Sequence, residues 1–122
     1  MLERGDVILA PCRGDDGYEL RPHWMVVIEV DPNDGRIAAV FTTSIKEGLQ
    51  GGQFAFTDEE RSAAGFARPC RFDPNTVWIY EKDAQHLISR PKRAGRLTKK
   101  MLSRILMAVL KRSPGRRTYK VP

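Results

Sequence analysis

Cysteine is scarce in this chain: Cys12 and Cys70 stand alone, without CxxC spacing. Two are too few for a disulfide scaffold, and both read as reduced, small apolar residues. Histidine is equally sparse, and His23 and His86 lie far apart in sequence. No metal-ligand cluster is spelled out, no cofactor is implied, and both histidines read as structural or incidental. Long apolar runs are missing too; nothing approaches the ~18–20 residues that span a bilayer. The opening "MLERGDVILAPC" carries charges at Glu3, Arg4 and Asp6 and no long apolar region, unlike a signal peptide. The expectation is a cytoplasmic protein with no membrane partner. A nucleophile elbow, a phosphate loop, HExxH and GxGxxG are all absent, which leaves chemistry without a cofactor, or binding alone.

Acids are absent from the final third. Residues 1–83 hold all 15 acids and 9 bases, a net charge of −6. Residues 84–122 hold 12 bases and no acid, which brings the chain to +6. Such a basic segment suits a polyanion or an acidic protein partner, or simply a solvated face.

What is present reads as strands. "GDVILA" (5–10) suits a first strand, "PCRGDDGYELR" a long polar loop, His23 to Val30 a second strand and Arg36 to Thr43 a third. Between the last two, "DPNDG" is a hairpin signal: proline presets one turn torsion and Gly35 can take positive φ. Pro22 cannot donate to a ladder, so it is expected at a strand's first residue or on an edge. "FAF" (54–56) is a short strand, and Thr57 with Glu60 has capping-box spacing for one helical turn ending near Gly65. Further strands are expected at 67–72 and 76–80, with "DPN" between or bending them, and a last one at His86 to Ser89. Thr98 caps one clear helix with Met101, Leu102, Ile105, Leu106, Val109 and Leu110 on a broad apolar face. Pro114-Gly115 stop it, and residues 114–122 read as a loosely ordered basic tail. With 122 residues and 41% hydrophobic content, one domain over 1–113 is expected. The fold class is mainly β: a small antiparallel barrel of about five to six short strands plus a C-terminal helix, with an open α+β sheet as the alternative.

Several short segments, taken in order, resemble the MazF/PemK toxins of bacterial toxin–antitoxin pairs. "ERGDVILA" is similar to that family's opening strand. It is followed by "P-x-x-G" (11–14) and by "RP" (Arg21-Pro22) leading into a Val-rich strand. A return strand ends in "TTS" (42–44), then come "GGQFAF", "RFDP" (71–74) and the closing "GRLTKKMLSRILMAVL". The resemblance covers nearly the whole chain through the order of its motifs, each of them weak alone. It implies an SH3-like barrel of the PemK kind, a homodimer, a cognate antitoxin, and growth-inhibiting endoribonuclease activity on single-stranded RNA that needs no metal. In that reaction the ribose 2′-OH attacks the adjacent phosphate, leaving a 2′,3′-cyclic phosphate and a 5′-OH end.

Carried onto this sequence, the resemblance implies a phosphate-stabilising and general-acid role for Arg21, whose planar fork suits phosphate. Thr43 or Thr42 supplies a hydroxyl; adjacent strand residues face opposite ways, so only one can serve. The Thr-Ser ending favours Thr43. Asp73 with Arg71 forms a base-plus-cation pair, unless "DPN" is simply a turn. Substrate contacts are expected from Arg13, Tyr18 as a stacking surface, Pro22 and Ser44, and from Lys92 and Arg93 in the basic run "RPKRAGRLTKK". Asp15 and Asp16 depart from the family, where some members carry histidine, and acids there repel phosphate. Two rival functions share the barrel. One is a non-enzymatic CcdB-type toxin that poisons a protein such as DNA gyrase through its C-terminal residues. The other is a barrel that binds RNA or protein without cutting.

Overall fold

A computed structural model describes residues 2–13, 20–44, 54–66, 70–91, 95–112 and 117–121. The described elements are mainly strands. In chain order they are β1 (Val7–Arg13), β2 (Leu20–Val30), β3 (Ile37–Ser44), β4 (Phe54–Ala55), α1 (Asp58–Ala64), β5 (Cys70–Tyr80), a 3-10 helix (Lys82–Leu87), α2 (Lys99–Lys111) and β6 (Arg117–Val121). Among the described residues six strands form one sheet in the order β1-β2-β3-β5-β4, with β6 on β5. All pairings are antiparallel except the parallel β5–β6 pair.

Local chemistry explains where several elements begin and turn. In the β2–β3 hairpin, Asp31 Oδ1 accepts from the Asn33 and Asp34 amides, and Gly35 takes φ +75°. The capping box at α1 is complete: Glu60 N donates to Thr57 Oγ1 and Thr57 N donates to Glu60 Oε1. Gly65, in the left-handed region at φ +87°, ends the helix. Thr98 caps α2 by accepting from the Met101 amide at 3.2 Å. That helix buries Met101, Ile105 and Val109. Leu110, expected on the same face, is 65% exposed, as is much of Met107; the buried stripe is narrower than its apolar residues suggest.

Strand alternation splits the apolar residues between two cores. Val7, Val26, Val40, Phe72 and Val77 pack with Phe56 and Phe66 and with the inner face of α2. Ile8, Ala10, Met25, Val27, Trp78 and Tyr80 pack on the other side of the sheet. That second core is enclosed because the sheet curls. The Tyr80 hydroxyl on β5 donates to the Pro11 carbonyl on β1 at 2.6 Å, although β2 and β3 separate the two strands in the sheet order. A flat sheet could not make that bond. Leu9 on β1 also exchanges backbone bonds with Ser89 at 2.8 and 2.9 Å.

Several expectations are corrected. β1 runs on to Arg13 and β2 starts at Leu20, so the loop between them is shorter than read. The strands expected at 67–72 and 76–80 are one strand, β5; opposite Phe41 it carries Asp73, Pro74, Asn75 and Thr76 between the pairs Thr42–Phe72 and Val40–Val77. "DPN" therefore makes a bulge rather than a break. His86–Ser89 is no strand: residues 82–87 form the 3-10 helix, and only Ser89 bridges to Leu9. The expected loose tail is corrected as well, since Arg117–Val121 pairs along Thr76–Tyr80 and buries Val121. The described helices include none long and apolar enough to cross a membrane.

Candidate nucleic-acid site

Pro22 is the third residue of β2 and lies opposite Pro11, a correction to the expectation that it begins its strand. Leu9 turns its N–H and C=O away from β2 toward Ser89, and Pro11 two residues on turns its carbonyl to Tyr80. Pro11–Pro22 is thus a non-hydrogen-bonded pair, where the β1–β2 ladder asks for no donor. The strand can continue outward through the prolines to carry Arg21, which is exposed and opposite Cys12.

Pairing of β2 with β3 closes at Met25–Phe41. One residue further, where the ladder has ended, the Thr42 hydroxyl donates to the Trp24 carbonyl at 2.7 Å. Thr43 lies opposite Arg71, and Arg71 opposite Ala55 of β4. One transverse row across β3, β5 and β4 therefore carries Thr43, Arg71 and Ala55, while His23 and Arg21 lie on one face of β2 past the end of its pairing with β3.

Thr42 is buried, and its hydroxyl is occupied by Trp24, so it has no proton to offer a phosphate. Thr43 holds the position beside Arg71, and Ser44 the next one, opposite Cys70. Arg71 is buried. Asp73 sits in the bulge with Oδ1 accepting from the Asn75 amide at 2.9 Å, as the turn alternative expects. Arg13 is exposed opposite Leu20, but strand alternation turns it away from the face of Cys12 and Arg21. Tyr18, Lys92 and Arg93 lie outside the described residues.

Half-buried His23, read from the sequence as structural or incidental, stands two residues along β2 from Arg21. Its Nδ1 lies 2.7 Å from the Arg21 carbonyl and 3.5 Å from Cys12 Sγ, and its ring meets Phe41 edge-on at 5.2 Å. Burial pushes the Cys12 thiol up to about 12, so it stays protonated and is no nucleophile. Burial, with the Cys12 charge adding to it, likewise pushes the Tyr80 hydroxyl up.

Part of the basic run has a structural task. Buried Asp6 binds Arg90 at 3.3 Å and Arg96 at 3.1 Å, and Arg96 also meets Glu3. These pairs tie the segment before α2 to the N-terminus and spend two of the cations expected to track RNA.

No family model and no curated protein matches the chain. Physical chemistry therefore carries the functional reading. A cluster of cations with a hydroxyl at a strand end suits a phosphodiester: guanidinium groups offset phosphate charge and a hydroxyl donates to its oxygens.

Proposed function

We propose that the chain is an RNA-cleaving toxin of the MazF/PemK type, a homodimeric barrel held in check by a cognate antitoxin. Its substrate is single-stranded RNA. The 2′-oxygen attacks phosphorus, the bond from phosphorus to the 5′-oxygen breaks, and 2′,3′-cyclic phosphate and 5′-OH ends result without a metal. The observation that supports this reading most is the pairing of Thr43 with Arg71, with Arg21 exposed near the same end of the neighbouring β2. In this assignment the Arg21 and Arg71 guanidinium groups stabilise the charge that grows on the phosphate, and Thr43 donates to a phosphate oxygen. Asp73 is left out, because it serves the bulge. The motif order, which resembles the family's, supports the same reading.

The test is incubation of purified protein with mixed-sequence single-stranded RNA, with and without chelator, followed by mapping of the new ends. Cleavage that leaves 5′-OH ends supports the proposal, as does growth arrest on expression without a partner. Intact RNA at high protein concentration overturns it.

A further inference from the structure

We propose that His23 is the general base of this site, its Nε2 taking the proton from the RNA 2′-hydroxyl; the inference rests on the RNA-cleavage reading above. A backbone carbonyl can only accept, so the 2.7 Å contact between His23 Nδ1 and the Arg21 oxygen fixes the hydrogen on Nδ1. The neutral ring therefore carries its lone pair on Nε2, and no bond occupies Nε2 among the described residues. This is the arrangement a base requires: one nitrogen held by a carbonyl, the other open to accept. Phe41 packs edge-on against the ring and fixes its plane. The same contact joins the base to the phosphate clamp, because the carbonyl belongs to Arg21 itself.

The proton balance closes within this site and solvent. Nε2 takes the 2′-OH proton as the 2′-oxygen bonds to phosphorus. The 5′-oxygen leaves and takes a proton from water, and the imidazolium then returns its proton to the hydroxide formed. Asp73 cannot supply the base as readily, since one carboxylate oxygen is held by the Asn75 amide. The charged and titratable groups facing His23 are Arg21 on its own strand and Cys12 on β1, with apolar Phe41 from β3.

The experiment compares pH–rate profiles of wild type, His23→Asn and His23→Gln on the same RNA. The asparagine amide can keep the donor to the Arg21 carbonyl while removing Nε2, whereas glutamine gives up that donor. His23→Asn is expected to fold and to lose about 10²–10⁴-fold in kcat together with the acid limb of the profile. His86→Asn, on an exposed residue of the 3-10 helix, leaves both unchanged. Survival of rate and acid limb in His23→Asn overturns the base role and leaves the RNA-cleavage reading standing. Wild type that cuts no RNA removes that reading, and the base with it. Should His23→Asn fail to fold, nitrogen NMR of the two wild-type histidines decides: the His23 midpoint must coincide with the kinetic one, and a mismatch overturns the proposal.

Discussion

The hydroxyl of Thr42 donates to the carbonyl of Trp24 at 2.7 Å, and that bond gives Thr42 a structural task. Thr42→Val leaves a carbonyl without its donor, so it lowers stability by about 1–3 kcal/mol, while the folded fraction keeps its cleavage rate. Thr43→Val is expected to do the reverse. Urea titrations and single-turnover RNA cleavage on both variants check the split; equal losses of rate would sink it.

Arg21 is exposed at the end of β2, so Arg21→Ala should leave the melting temperature nearly unchanged, surface replacements usually staying within about 0.5 kcal/mol. Cleavage should fall at least ~10²-fold if the guanidinium meets the transition-state phosphate. Arg21→Lys should recover only part of the rate, because an ammonium lacks the two-pronged fork. A full-rate Arg21→Ala would remove this residue from the site.

The alkaline edge of stability follows from two buried groups. Cys12 rises from 9.0 to about 12, and Tyr80 rises above its ordinary 10.0. A raised folded value means that the folded state holds its proton more tightly. The stabilisation is complete below pH 9 and is lost as pH rises, for Cys12 through about 12. Each group contributes a slope of at most about 1.4 kcal/mol per pH unit. Tyr80→Phe should flatten its share of that slope and, by leaving the Pro11 carbonyl without its donor, cost about 1–3 kcal/mol at neutral pH. Denaturant melts between pH 8 and 11 would show both effects; an unchanged alkaline slope would refute them.

Ending the chain at Arg112 removes β6, exposes the β5 edge and unburies Val121. Loss of that one side chain's burial alone costs about 1.5–3 kcal/mol. Lost toxicity on truncation is therefore expected from unfolding, and does not separate an RNA-cutting toxin from one that acts through its C-terminus. Lys120→Ala, which touches only an exposed pair with Glu81, is the cleaner probe. A truncated chain with an unchanged melting point would contradict the role given to β6.

The elements legible in the sequence are those whose signals are local. Thr57 and Glu60 cap α1 by reaching one another across three residues, Thr98 caps α2 the same way, and "DPNDG" turns on its own side-chain bonds. What escaped depends on pairing across the chain. "RTYKV" holds the β-favouring Thr, Tyr and Val, yet only the open edge of β5 makes it a strand. Asp73–Thr76 reads as a turn until β3 passes beside it and makes the turn a bulge. For the candidate site, the Arg-Pro pair singled out Arg21 in the sequence, whereas the bond of the Thr42 hydroxyl to the Trp24 carbonyl depends on how β2 meets β3 and could not be read there.

Past Leu9, the outer margin of β1 offers an incoming chain almost no grip. Pro11 has no N–H to give, and its oxygen already holds the Tyr80 hydroxyl. Sheets that leave such a margin open tend to recruit further copies of themselves. Pro11, read from the sequence as the start of a loop, thus blunts this margin of β1 against runaway self-association.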